Sequence, residues 1–323
     1  MALLWLDGFE AGDVSPYTVS GASVDTAQYR TGARSMTSGY GYWFQRALGA
    51  SPQTVIVGAG TRLGTYSSYW ELYDGSTVQL RFTLASGAIN VYRGPGTTLL
   101  GTHAVSWPLN MWQYLEVRAT IDPTNGSYEL RVNGATIGSG SGLNTRNSGA
   151  SQVTAVRFTG AGGAACHVDD LYICDTTGSY CNTFLGPVCI SHLAPASDVS
   201  TTWSRNGGTS NYGRLTETAP DGDTTYVYDA TPGHVDQYGL ADLPTAAYTV
   251  AAVASVMYVR SDGGTLSVAP VMWSGSSTSE GAAVAPGAAY AAYFQPFYTD
   301  PDTGLVWTVS GINAANIGLK VIA

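Results

Sequence analysis

The residues best suited to chemistry crowd into 167–190, "HVDDLYICDTTGSYCNTFLGPVCI". This stretch holds His167, the adjacent carboxylates Asp169 and Asp170, and Cys174, Cys181 and Cys189; Cys166 immediately precedes it. Three chemistries use such residues: a metal centre, an acid–base carboxylate pair, or disulfides. The cysteines are separated by seven, six and seven residues. Structural zinc usually takes two close pairs of the C-x2-C kind, so no metal site is expected. On a strand, neighbouring side chains point to opposite faces, so Asp169 and Asp170 are not expected to work as a pair. A carboxylate in this position more often caps a turn or holds an Arg. Cys174 and Cys181 bracket a turn-like loop, which brings them within disulfide reach, and Cys166 and Cys189 could pair across neighbouring strands. Four cysteines allow three pairings, and small buried thiols are the alternative. Synthesis in a reducing cytoplasm favours thiols, whereas release from the cell permits oxidation.

Other chemistry is sparse. A glycosidase needs two carboxylates facing one cleft. The six glutamates (Glu10, Glu71, Glu116, Glu129, Glu217 and Glu280) form no E-x-D-x-E run. In "WELYDG", Glu71 and Asp74 have odd spacing and fall on opposite strand faces, and "YDG" reads as a hairpin turn. No nucleophile elbow, Walker loop or H-E-x-x-H is present. Asp221 and Asp223 flank Gly222 and could hold Ca²⁺, but the rest of an EF-hand loop is missing, and a polar turn entering a strand is the stronger reading. The expectation is no catalytic residue, no cofactor and no metal.

The elements that must position these residues are strands. Of 323 residues, 44% are hydrophobic and only 11% charged, with forty glycines and a net charge of −9. That charge, with Lys320 as the only lysine, argues against a nucleic-acid-binding face. The run "MALLWLDGFE" has no basic segment and is broken by Asp7, so no signal peptide is expected. No stretch approaches the ~18–20 apolar residues of a membrane span, and the expectation is a soluble product of the cytoplasm. Segments 54–60, 78–84, 88–94, 112–122 and 126–137 read as strands, several with period-2 faces and short turns between them. An all-β architecture of packed antiparallel sheets follows. The long apolar run 249–260 suggests a central strand buried on both faces, and "IGLKVIA" a terminal strand. Gly, Ser and Thr cluster at 176–183. This places a first domain at 1–176, a linker at 177–185 and a second β-rich domain at 186–323.

Two aromatic segments stand out. "SGYGYWFQR" carries Tyr40, Tyr42, Trp43 and Phe44; "AAYAAYFQPFY" carries Tyr290, Tyr293, Phe294, Phe297 and Tyr298. Exposed rings can stack on sugars or fill an interface, and alternate residues of a strand can fill a core. The second segment holds too many rings for one inward face. Both are expected as contact surfaces in a homo-oligomer or a particle-bound array.

The succession "MALLWLDGFE", "YRTGARSM", "VYRGPGTTLLGTH" and "WQYLEVRATIDPTNGSYELRVNG" resembles the concanavalin A-like, laminin-G-like sandwich of tailed-bacteriophage virion proteins. "VDDLYICDTTGSYCNTFLGPVCISHLAP", "APDGDTTYV" and "DPDTGLVWTVSGINAANIGLKV" continue the resemblance to the end of the chain. It implies a concanavalin A-like jelly-roll sandwich followed by a second β-sandwich-like domain. It further implies a non-enzymatic virion structural protein, in capsid decoration or the tail, located in the virion after synthesis in the host cytoplasm. Its partners would be other copies of itself and other virion proteins, with no nucleic acid and no membrane. The alternative is an adhesin that recognises host surface glycan; a depolymerase is disfavoured by the missing carboxylate pair. Pro187 and Cys189 stand at positions that are polar in the family pattern, which makes the cysteines a local feature of this chain.

Overall fold

The computed structural model describes residues 2–217, 219–243 and 248–323. It divides into two compact units, Met1–Ile190 and Ser191–Ala323. The division falls later than the sequence suggests. Residues 185–190, expected to end a linker and open the second domain, belong to the first unit because their backbone is bonded there. Leu185 N donates to Tyr172 Oη (3.1 Å), Gly186 N to Glu116 Oε1 (2.8 Å) and Ile190 N to Asp170 Oδ1 (2.7 Å).

The strands of the first unit are β1 (Leu3–Asp7), β2 (Thr18–Ser20), β3 (Ser23–Asp25), β4 (Ser35–Ser38), β5 (Trp43–Ala47), β6 (Thr54–Leu63), β7 (Ser68–Asp74), β8 (Thr77–Ala85), β9 (Ala88–Arg93), β10 (Thr98–Ala104), β11 (Trp112–Thr120), β12 (Gly126–Val132), β13 (Ala135–Leu143), β14 (Ala155–Thr159) and β15 (Cys166–Cys174). They form two antiparallel sheets. One runs β13-β12-β11-β6-β15-β4-β3 with β1 also on β15; the other runs β10-β9-β8-β7-β14-β5-β2. The expected hairpins are present, with one revision. The stretch 126–137 is two strands, split at Asn133 (φ 51°) and Gly134 (φ 82°). Left-handed φ at both central residues suits an Asn-Gly hairpin turn.

The core lies between the sheets. The seven-stranded sheet sends Phe44, Trp70, Leu72, Leu80, Phe82, Leu84, Ile89, Val91 and Phe158 inward, each at most 2% exposed. Phe44 and Phe158 stack at 4.8 Å, and Trp70 meets Phe158 edge-on at 5.0 Å. Burying a Phe or Leu side chain contributes about 1.5–3 kcal/mol, so alternate residues on these strands are committed to the core. The intervening residues are therefore left to face outward.

The second unit is built on a five-stranded antiparallel sheet, with the order β16 (Pro195–Ser200), β19 (Val235–Leu240), β24 (Asn316–Ile322), β21 (Ser267–Ser274) and β22 (Ser277–Glu280). The terminal strand read from "IGLKVIA" is its centre. Two ribbons accompany it, β17 (Ser204–Arg205) with β18 (Val227–Tyr228), and β20 (Val253–Val259) with β23 (Ala291–Phe297). The apolar run 249–260 was expected to be a central strand buried on both faces. Among the described residues β20 instead pairs with β23 alone and is mostly half-buried, with Val256 49% exposed. Small side chains such as Ala251, Ala252 and Ala254 make the segment apolar without requiring two packed faces. The core of this unit gathers Met272, Phe297, Trp307, Ile312 and Ala315.

Candidate functional site

The Asp169–Asp170 pair is a structural clamp. Regular alternation would separate the two carboxylates, but β15 is bulged here: its register against β6 shifts between Asp169 and Tyr172, and Asp170 has φ 50°. Such a bulge re-aims side chains, and both carboxylates reach the same loop. Asp169 Oδ2 accepts from Arg30 N (2.7 Å) and Thr31 N (3.1 Å). Asp170 Oδ2 accepts from the Arg30 guanidinium (2.5 Å), and its Oδ1 accepts from Thr31 Oγ1 (2.7 Å) and Ile190 N. Burial, with the adjacent Asp170 charge, pushes the Asp169 carboxyl above the ordinary range. Arg30 also donates to Val188 O (2.7 Å) and lies over the Tyr114 ring at 4.9 Å. A parallel contact seats the preceding residues: Tyr172 Oη donates to buried Glu116 at 2.5 Å, and that carboxylate also accepts Gly186 N. Gly58 leaves room for the Tyr172 ring, since a Cβ there would lie 2.2 Å from it. The Asp169, Asp170 and Glu116 Oε1 acceptors pin loops to the eight-stranded sheet, while Glu116 Oε2 is buried with no hydrogen-bond partner among the described residues.

The cysteines form no disulfide among the described residues. Cys166 and Cys174 are buried at opposite ends of β15, Cys181 is half-buried and Cys189 exposed. Burial pushes the Cys166 thiol up to about 12 and raises that of Cys174 as well. Among the described residues no group of three or more His, Cys, Asp or Glu could hold a metal ion.

The expected contact segments divide. Phe44 is fully buried and Phe297 is 5% exposed, so both are core residues and not contact surface. Tyr290 is half-buried and stacks on Tyr258 at 5.1 Å. Tyr293, Phe294 and Tyr298 are half-buried. Tyr40 and Tyr42 are 77% and 50% exposed. Trp43, on the outward parity of β5, belongs to a larger surface.

That surface is the outer face of the seven-stranded sheet. Strand pairing aligns one residue from every strand in a single row: Thr18, Gln45, Arg157, Glu71, Arg81, Tyr92 and Leu99. A second row beside it runs Ser20, Trp43, Thr159, Tyr69, Thr83, Asn90 and Thr102. The side chains brace one another. Arg157 Nε donates to Gln45 Oε1 at 3.0 Å, and the guanidinium lies over Trp43 at 3.9 Å and Tyr73 at 4.4 Å. Arg81 lies over Tyr69 at 4.1 Å and bonds Glu71 Oε1 through two nitrogens, at 2.8 and 2.7 Å. Tyr73 Oη donates to Glu71 Oε2 at 2.9 Å. Burial, reinforced by the Glu71 charge, raises the Tyr73 phenol and keeps it a donor. Thr102 donates to Asn90 Oδ1 at 2.8 Å.

Trp43, Tyr69 and Tyr92 are half-buried, so part of each ring is open. Among the described residues the Trp43 indole N–H, the Tyr69 and Tyr92 hydroxyls and the Arg157 terminal amines form no internal hydrogen bond. The face thus combines fixed rings with uncommitted donors, which suits a ligand having both apolar and hydroxylated surfaces. Of these residues, sequence reasoning singled out Trp43 alone as a contact candidate. Glu71 was assigned to a strand face away from Asp74, correctly, but its partners on β8 and β14 were not visible. The available signal was the outward parity of β7 and β8, where Tyr69, Glu71 and Tyr73, then Arg81 and Thr83, alternate with core residues.

The architecture is that of an all-β protein, with a two-sheet antiparallel sandwich in the first unit and a smaller β-sheet region in the second. No protein-family model and no curated protein sequence matches the chain. Solved structures match it over about half its length. Domain 4 of AbnA, an extracellular arabinanase of Geobacillus stearothermophilus, is 13% identical with a TM-score of 0.38, covering 54% of this chain and 93% of that one. Galectin LEC-6 of Caenorhabditis elegans is 16% identical with a TM-score of 0.31, covering 40% and 88%. A carbohydrate esterase of the Shiga toxin-encoding bacteriophage phi24B is 14% identical with a TM-score of 0.34, covering 50% and 90%.

Proposed function

We propose that this chain is a non-enzymatic glycan-binding protein whose site is the outer face of the seven-stranded sheet. The observation that carries the reading is the cross-sheet register, which sets Gln45, Arg157, Glu71, Arg81 and Tyr92 in one row beside Trp43, Tyr69 and Asn90. Rings cover the apolar faces of a sugar, while the indole, phenol, amide and guanidinium donors meet its hydroxyls. A sheet supplies this at low entropic cost, because the strands and the ring–guanidinium stacks fix the side chains before a ligand arrives. The non-enzymatic reading is supported by the engagement of the carboxylates: Asp169 and Asp170 hold loops, and Glu71 is occupied by Arg81 and Tyr73.

The setting we propose is a phage particle, on which the chain serves as an adhesin for host surface polysaccharide and as a building block alongside other virion proteins. Exposed Tyr40 and Tyr42 favour a contact with another chain at the adjoining end of the sheet. The test of the site is affinity electrophoresis of the full chain through gels containing bacterial surface polysaccharides. At least one polymer should retard the wild type and not Trp43→Ala, and no reducing ends should be released. Equal retardation of both proteins would overturn the site, and released reducing ends would overturn the non-enzymatic reading. Recovery of the chain at many copies from purified particles would support the virion setting, and its absence from them would count against it.

A further inference from the structure

The same face carries an imbalance of charge. The outward row contains two guanidiniums and one carboxylate, in a chain whose net charge is −9. The single carboxylate is fully engaged. Glu71 takes two nitrogens of Arg81 on one oxygen and the Tyr73 hydroxyl on the other. Arg81 is therefore neutralised by its own neighbour. Arg157 is not: its internal hydrogen bond goes to the neutral amide oxygen of Gln45, and it forms no salt bridge among the described residues. The strands of Arg157 and Arg81 flank that of Glu71, so their backbones are about 10 Å apart at the usual strand spacing.

Arg157 is also held in place. Its guanidinium lies between Trp43 at 3.9 Å and Tyr73 at 4.4 Å, with Nε tied to Gln45. The two terminal amines remain as a planar pair of donors. That geometry matches a carboxylate, which a guanidinium takes through two parallel hydrogen bonds. The half-open Trp43 ring beside it offers an apolar platform for the ring bearing that carboxylate.

We propose that the ligand is an acidic polysaccharide, and that Arg157 binds the carboxylate of a uronic acid residue stacked on Trp43. This rests on the glycan-binding reading of the same face and adds the charge of the ligand to it. The carboxylate supplies the counter-charge that the protein withholds from Arg157, while the neutralised Arg81–Glu71 pair and Tyr92 contact the neutral hydroxyls of the neighbouring sugars.

The test compares polygalacturonate, polymannuronate and polyglucuronate, each with its carboxyl-reduced neutral counterpart, against the full-length protein by affinity electrophoresis and titration calorimetry. At least one polyuronate should bind about 10- to 100-fold more tightly than its reduced form, the worth of a charge-assisted pair. Arg157→Gln should bring the two affinities together. Arg157→Lys should keep part of the preference, having the charge without the planar fork. Trp43→Ala should weaken both polymers alike. Circular dichroism and thermal melting of each variant establish that it is folded. Binding of a neutral polymer as tight as that of its acidic form, or a preference that survives Arg157→Gln, overturns the acidic-ligand proposal and leaves the glycan site standing. Failure to bind any polymer of either series counts against both.

Discussion

Replacing Asp170 by Asn tests whether the carboxylate cluster is the clamp described above. The substitution keeps the shape, and Asn accepts the left-handed backbone that Asp170 adopts at φ 50°, so the bulge should survive. It removes the charge that faces Arg30, in a side chain with no solvent exposure, while Arg30 is 19% exposed. Breaking a buried pair by removing one partner costs about 3–5 kcal/mol. The amide oxygen of Asn can still accept from Thr31 and Ile190, and Arg30 retains the Val188 carbonyl, which places the cost near the lower end, about 3 kcal/mol. For a unit of this size that corresponds to a melting shift of roughly 6–12 °C. Calorimetry reads the shift, and hydrogen exchange at Ile190 reads the local release. The double variant Arg30→Met/Asp170→Asn should be less destabilised than the sum of the single changes, because no uncompensated guanidinium remains. A loss below 1 kcal/mol with additive single effects would refute the clamp and make these bonds incidental.

Other consequences are equally direct. Burial pushes the Asp7 carboxyl up from 3.8 to about 6, despite the bonds it accepts from Tyr17 and Phe9. The folded state therefore holds the proton more tightly than the unfolded chain. The contribution, up to about 3 kcal/mol, is full below pH 3.8 and is lost as pH rises through about 6. Asp7→Asn should flatten that part of the stability–pH curve, and an unchanged slope in denaturant titrations would contradict the assignment. Phe297→Ala should cost about 3–5 kcal/mol as a core truncation, whereas Tyr40→Ser should change stability by less than about 0.5 kcal/mol; denaturant midpoints distinguish them, and similar losses would contradict the placement of the two rings. Native alkylation followed by peptide mass spectrometry should modify Cys189 first and Cys166 and Cys174 only on unfolding, so early labelling of Cys166 would contradict its burial.

Much of the strand content was legible because core-facing residues alternate with polar ones, as in Leu80, Phe82 and Leu84 of β8, although a bulge turns Val78 to the side of Tyr73. Hairpin partners were legible for the same reason, since β7–β8 and β8–β9 are joined by short turns. What could not be read was pairing between distant segments. β14 lies between β5 and β7 in space but far from both in sequence, so Arg157 gave no sign that it would sit beside Trp43 and Glu71. The clamp was hidden by a different cause. Period-2 logic separates Asp169 from Asp170, and only the bulge, with Asp170 left-handed, sends both carboxylates to Arg30 and Thr31. The apolar run 249–260 misled because its three alanines and four valines raise hydrophobicity without filling two packed faces.

The central claim is that the outer face of the seven-stranded sheet holds a saccharide. It is tested most directly by a crystal structure of the full-length protein with an oligosaccharide of the polymer it retains. The account predicts sugar rings lying across β5, β14 and β7, one stacked on Trp43 and hydrogen-bonded to the terminal amines of Arg157. A saccharide bound at the loops or on the eight-stranded sheet, with Trp43 and Arg157 untouched, would contradict it.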